Sequence, residues 1–263
     1  MNSSSSQSPG PDSSSNCHTK NARADISTAH THHQQILEVF TIGHCATPVI
    51  QIDHFHPEPN TLIDAAMRDQ AFQHNPKDFY PGVRKPFADA AYQQWLISSI
   101  RDSVNQLFPQ LHDAKPIELN SVFSITSTPV KKLRPIQTIP HIDTHDAVSF
   151  ACVHYLCHPP FTGTSFYRHI STSLERISDK DLKTYFATAK QELMSREFTP
   201  QYCDDSSEFF QRIHRCPLQF NRLIFYPANL LHSGDIQEKL MNNGSPENDR
   251  LTLNTFVKFG TNE

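Results

Sequence analysis

Arg250-Leu251-Thr252-Leu253-Asn254-Thr255-Phe256-Val257 reads as one strand with two unlike faces. In an extended chain alternate side chains share a side, so Arg250, Thr252 and Asn254 point one way while Leu251, Leu253, Thr255 and Val257 point the other. A guanidinium and a hydroxyl thus look into one cavity, and an apolar row faces a core. The same period of two, rich in β-branched and aromatic residues, starts at Ile117. It runs through Val122 to Thr126, Leu133 to Ile139, Ala147 to Leu156 and Ser165 to Ile170. The expected class is mainly β with flanking helices, an α+β fold.

The helices come first in the chain. Asn60 to Gln70 places Leu62, Ile63, Ala66 and Met67 at helical spacing, and Asp89 to Phe108 does so with Tyr92, Leu96, Ile100, Val104 and Leu107. Both are predicted to buttress a sheet. Between Ile170 and Leu218 the helical period returns, with Ser178 to Asp181 as a capping box ahead of Leu182, Phe186, Ala189 and Leu193. A second short helix is expected from about Ser207 to His214. This insertion either overhangs the mouth of the sheets or packs its apolar stripe on them. Val49 to His56 is expected as an edge strand with His54 and His56 toward solvent.

Pro140-His141-Ile142-Asp143 carries the chemistry. Its alternation presents an imidazole and a carboxylate on one side while Ile142 turns inward. A third donor is available at His232, where the apolar strand through Phe225 and Tyr226 passes Pro227 into a polar turn. Two histidines and one carboxylate occupy one side of an octahedral ion and leave the other positions open, the arrangement of non-haem iron(II) oxygenases. His145 is a rival, since it shares a face with Asp143 if the strand continues, but Pro140 and the polar run from Asp143 to Asp146 favour a strand end. Arg250 demands an anion, and its planar fork matches a carboxylate, so a dicarboxylate cosubstrate fits. Lys258, on the same strand face, is the alternative cation.

In this order His141, Asp143, His232, Arg250 and Thr252 resemble the pattern of the iron(II)- and 2-oxoglutarate-dependent dioxygenase superfamily. The flanking Val153-His154-Tyr155-Leu156 and Gly163-Thr164-Ser165-Phe166-Tyr167 are similar to its prolyl-hydroxylase-like branch, and the wording around Gly163 and His232 to bacterial proteins of unknown function. The resemblance implies a double-stranded β-helix core, jelly-roll or cupin-like, over Pro116 to Phe259. It implies iron(II) held by His141, Asp143 and His232, and 2-oxoglutarate gripped by Arg250 with Thr252 and Tyr155. Dioxygen completes the set, and ascorbate is allowed as an accessory.

The reaction so implied is hydroxylation of an amino-acid, peptide or protein side chain, and Asp143 argues against halogenation. Two features depart from the family pattern. The His232 to Arg250 gap is long, filled by a turn-rich excursion over Asn242 to Asp249, and Cys157-His158 stands where relatives often have Asn-Asp. A nucleic-acid demethylase is the enzymatic rival, but Phe256 holds the place of its second arginine. A non-catalytic metal-binding or partner-docking barrel is the other alternative.

Composition bounds the rest. A net charge of −4, histidines neutral, points to neither nucleic acid nor an anionic membrane. The short clusters Lys131-Lys132-Leu133-Arg134 and Arg84-Lys85 are expected to be solvated. Met1 to Asn16 holds eight serines, too polar to offset its ordering entropy. Residues 1–35, with His30, His32 and His33, are therefore expected as a disordered tail, before one domain over 36–263 with a helical insertion at 171–216. No apolar leader core or membrane-length stretch is present, so the cytoplasm is the expectation. Six cysteines without a C-x-x-C pair fit reduced thiols.

Overall fold

The alternation read at Arg250–Val257 is realised as a central strand, β11 (Leu251–Phe259), flanked on both sides. The computed structural model describes residues 1, 22–24 and 34–260, apart from 69–70, 76–78, 204 and 243. Most of the expected tail, with His30, His32 and His33, lies outside the described residues. The other strands are β1 (Ala22–Ala24), β2 (Ile36–Ile42), β3 (Thr47–Asp53), β4 (Gly82–Phe87), β5 (Pro116–Thr126), β6 (Ser149–Tyr155), β7 (Thr164–His169), β8 (Phe210–Cys216), β9 (Leu223–Pro227) and β10 (His232–Gly234). The helices are α1 (Pro59–Met67), α2 (Ala90–Leu107) and α3 (Leu182–Met194). The class is mainly β with helices, as expected.

Two antiparallel sheets form. One has eight strands in the order β1-β2-β3-β9-β6-β11-β5-β4, the other three in the order β10-β7-β8. The chain buries both faces of the large sheet. On one side α1 and α2 lay Leu62, Ala66, Leu96, Ile100 and Val104 against Ile50, Ile52, Phe123, Phe150 and Leu253. On the other, Ala151, Tyr155, Ile224 and Tyr226 meet Phe166 and Cys216 of the small sheet. That second, inter-sheet layer holds the chemistry.

Helix ends are satisfied by side chains, one local and one brought from a neighbouring strand. Asp89 accepts the Tyr92 N–H at 2.8 Å and caps α2. Lys85 is buried, not solvated, and its ammonium donates to the carbonyls of Ala65, Ala66 and Arg68 at the end of α1. A cation at a helix C-terminus meets both the unpaired carbonyls and the negative end of the dipole. Glu175 plays the reverse part. Burial raises its pKa, but the Cys45 and His44 N–H groups and the Arg168 guanidinium outweigh that and hold it below the carboxylate norm. It latches the β2–β3 turn to the loop before α3, where a Cβ on Gly43 would collide with its carboxylate.

Four local expectations fail. Residues 133–139 contain a 3-10 turn, Pro135–Thr138, because Pro135 can start a turn and Gln137 Oε1 accepts the Arg134 N–H at 2.8 Å. The helix expected near Ser207–His214 is strand β8, whose ladder with β7 overrides a weak local period. β3 is no edge, being paired with both β2 and β9. His232 opens strand β10 instead of a turn. Of the stripe expected on the 171–194 segment, Ala189 packs with Tyr185 on Tyr167 and Phe210 of the small sheet, whereas Phe186 is exposed.

Burial also fixes a pH dependence. His154 sits fully buried among Phe55, Tyr92 and Asn221, with Nε2 3.0 Å from Asn221 Oδ1 and Nδ1 3.4 Å from the Tyr92 hydroxyl. Desolvation, against the bond to Asn221, lowers its pKa to about 3. Burial also lowers His214, and, with the neighbouring His232 and Arg84, His141. The folded chain holds fewer protons on these imidazoles than the unfolded chain, which protonates them below about 6.5, so stability falls as pH drops. Each contributes a slope of at most about 1.4 kcal/mol per pH unit. Urea unfolding between pH 7 and 5 should show this slope, and His154→Gln should remove about one proton of it. An unchanged slope in the variant would refute the assignment.

Candidate metal centre

The His-x-Asp segment is stapled to the strand of the distal histidine. His141 N–H donates to the His232 carbonyl and His232 N–H to the His141 carbonyl, each at 2.9 Å, and Asp143 N–H donates to the Ala228 carbonyl at 2.9 Å. This pairing extends the small sheet by one bridge and puts residues 141 and 232 directly opposite each other. Their rings lie 4.4 Å apart between centroids.

Three donors converge in consequence. One nitrogen or oxygen from each of His141, Asp143 and His232 falls within 4.8 Å of the others. His232 Nε2 is 3.5 Å from Asp143 Oδ2, and His141 Nε2 is 4.0 Å from Asp143 Oδ1. A divalent first-row ion holds such donors at about 2.1 Å, so neighbouring donors of an octahedral set lie about 3 Å apart. Sub-ångström side-chain adjustments would close the set on one ion.

The protonation states also suit a metal. His232 Nδ1 lies 2.8 Å from the Leu230 carbonyl and must carry a proton to donate there, so the nitrogen that faces Asp143, and that would bind a metal, is Nε2. His141 is half-accessible on its side chain, at 51%, yet the protein packed round its ring and the nearby His232 and Arg84 hold its pKa well below the ordinary value. A neutral imidazole is the ligand form. Tyr226 braces the assembly, its ring edge-on to His232 at 4.9 Å.

Arg250 stands beside this group. It is 8% exposed and donates from Nε to the Thr162 carbonyl at 2.7 Å and from Nη2 to the Gly163 carbonyl at 2.8 Å. A Cβ on Gly234, two residues past His232, would sit 3.8 Å from Nη1. Tyr155 lies under the guanidinium, ring centroid to Cζ 5.5 Å, and its hydroxyl donates to Thr164 Oγ1 at 2.8 Å. Burial pushes the Tyr155 phenol well up, so it remains a hydroxyl. Thr252 is opposite Tyr155 in the ladder and buried. The long excursion before Arg250 folds back because the buried Asp249 carboxylate accepts N–H groups of Asn242, Gly244 and Ser245 at 2.7, 2.7 and 2.9 Å.

The rivals go elsewhere. His145 faces Asp179 at 3.8 Å, and Lys258 pairs with Asp146 at 2.9 Å. One neighbour was hidden by the reading of Arg84-Lys85 as solvated surface. Adjacent residues of a strand face opposite ways, so once Lys85 turns to α1, Arg84 turns to the inter-sheet side, Cζ 4.4 Å from the Tyr80 ring centroid. The signal was Gly82–Phe87 as a strand, masked by Pro86 and the paired charges.

The donor set predicts binding of one cobalt(II) or iron(II) per chain, read by anaerobic titration calorimetry. His232→Ala or Asp143→Ala should weaken it at least 100-fold, while His145→Ala should leave it unchanged. Wild-type affinity in the His232 variant would exclude the site.

A comparison with curated proteins finds no match. A family model described as a family of unknown function matches residues 33–257, most of the chain and every residue of the cluster. The chain belongs to that family, DUF6445.

Proposed function

We propose that the protein is an iron(II)- and 2-oxoglutarate-dependent oxygenase that hydroxylates an amino-acid, peptide or protein side chain. The observation that carries the reading is the convergence of His141, Asp143 and His232, with the His232 tautomer fixed by the Leu230 carbonyl. Two histidines and a carboxylate on one side of an ion leave positions for cosubstrate and oxygen, whereas a structural site would close its coordination.

Strand order supports a double-stranded β-helix core. From β5 the chain passes to the bridge at His141, then β6, β7, β8, β9, β10 and β11. It thereby crosses between a β9-β6-β11-β5 layer and a His141-β10-β7-β8 layer at every step but the β7–β8 hairpin, in the manner of an eight-stranded jelly roll.

Each residue has a task. His141, Asp143 and His232 would hold the iron, and Arg250 would bind the far carboxylate of 2-oxoglutarate, its guanidinium oriented by the Thr162 and Gly163 carbonyls and backed by the Tyr155 ring. The Thr252 hydroxyl lies on the same sheet face as that carboxylate would. Bound iron(II) with 2-oxoglutarate supplies the oxidising power, coupling dioxygen reduction to decarboxylation of the cosubstrate to succinate. The protein contributes position and a dry, buried anion site, where a charge-assisted bond is strong.

Anaerobic addition of 2-oxoglutarate to the iron(II) protein should raise a weak visible charge-transfer band, and succinate should accumulate in air. Arg250→Ala should keep iron but weaken 2-oxoglutarate by about 2–5 kcal/mol, the range for truncating one partner of a buried charge pair. A folded, iron-loaded protein without the band would leave a non-catalytic metal-binding barrel as the reading.

A further inference from the structure

The carbonyls that hold Arg250 are themselves gripped from a second side. Thr162 and Gly163 take its Nε and Nη2 groups, one of the two forked edges of a guanidinium, and leave the Nη1–Nη2 edge to meet a carboxylate. Where these two carbonyls point therefore sets where that edge points. Both residues are tied to Asp235, whose N–H donates to the Gly163 carbonyl at 3.0 Å and whose own carbonyl accepts the Thr162 hydroxyl. The Gly163 carbonyl thus accepts from Asp235 and Arg250 at once, one bond for each lone pair.

Asp235 directly follows β10 and has an anchor of its own. Its side chain is only 1% exposed, and Oδ2 accepts from Arg215 Nε on β8 at 2.6 Å. Because β7 lies between β10 and β8, the ion pair crosses the start of β7. A Cβ on Gly163 would lie 1.8 Å from the Cys216 carbonyl oxygen, so the backbone beneath the pair is closely packed. Arg215 is 43% exposed, and an ion pair between two such groups would contribute little. A buried carboxylate is different, since leaving it unpaired is costly, and Asp235 is held in one place.

We propose that Asp235 and Arg215 are positioning residues for Arg250, acting through Thr162 and Gly163 to aim its free edge at the far carboxylate of 2-oxoglutarate. The proposal rests on the oxygenase reading and adds to that site the residues that orient its anion anchor. The chain of bonds runs from Arg215 to Asp235, from Asp235 to two adjacent carbonyl-bearing residues, and ends on Arg250. Loosening it should cost only ligands that use Arg250. A 2-oxo acid without a far carboxylate makes no use of it.

The test uses zinc(II)-loaded full-length protein, an inert and diamagnetic form, and titration calorimetry with 2-oxoglutarate and with 2-oxopentanoate, which lacks the far carboxylate. Asp235→Ala and Thr162→Val should each weaken 2-oxoglutarate about 10-fold, the order of one hydrogen bond to a charged group, and leave 2-oxopentanoate and zinc(II) binding unchanged. Thr162→Val removes only a hydroxyl, so it decides the matter even if Asp235→Ala does not fold. As a second readout, the Arg250 Nε–Hε resonance, identified by its loss in Arg250→Lys, should exchange with water about 10-fold faster in both variants as its carbonyl partner loosens. The proposal is overturned if the ratio of the two affinities keeps its wild-type value, whether because neither ligand weakens or because both weaken alike. If the wild-type protein binds neither ligand, the oxygenase reading fails instead and the exchange rate decides. An unchanged rate in the variants then overturns the positioning role, and a faster one leaves the pair orienting Arg250 for another anion.

Discussion

The paired backbone hydrogen bonds between His141 and His232 are the constraint from which the site follows. They join residues 141 and 232 in register, so that each imidazole leaves the backbone opposite the other and Asp143 arrives one alternation later. A slip of one residue in that bridge would send the His141 ring to the opposite face. The bridge is a single residue pair, and the Asp143 N–H bond to the Ala228 carbonyl supplies the second point of attachment that a lone bridge lacks.

The surroundings carry that constraint outward. β11 lies between β5 and β6 at the middle of the large sheet, which holds Arg250 and Thr252 at its start and Asn254 further along. The Asp249 carboxylate gathers three N–H groups of the preceding loop, so a long excursion ends in a defined place. Three charged groups in the interior are matched: Lys85 by helix carbonyls, Glu175 by Arg168 and two N–H groups, Arg250 by two loop carbonyls. Buried charges need such partners.

Much of this was legible in the sequence because period and motif agreed. The alternation over Arg250–Val257 gave the strand and the sharing of a face by Arg250 and Thr252, and helical spacing gave α1 and α2 to within a few residues. The His-x-Asp pair could be singled out from sixteen histidines by its spacing, and His232 because it follows the apolar strand through Phe225 and Tyr226. The failures share a cause: short segments whose conformation is decided by partners. β8 is a strand because β7 pairs with it, and Pro135–Thr138 turns because Gln137 reaches back to Arg134. Arg84 and Lys85 look like a surface doublet until the two faces of β4 are known. His154 gave no sign of its burial, since a histidine on a strand is as often wet as dry.

The account turns on one ion held by side chains from two remote stretches. Diffraction from crystals loaded anaerobically with iron(II), recorded at the iron absorption edge, tests it directly. The account predicts one anomalous peak at about 2.0–2.2 Å from a nitrogen of His141, an oxygen of Asp143 and a nitrogen of His232. A peak bound elsewhere, or these three donors too far apart to share it, would contradict it.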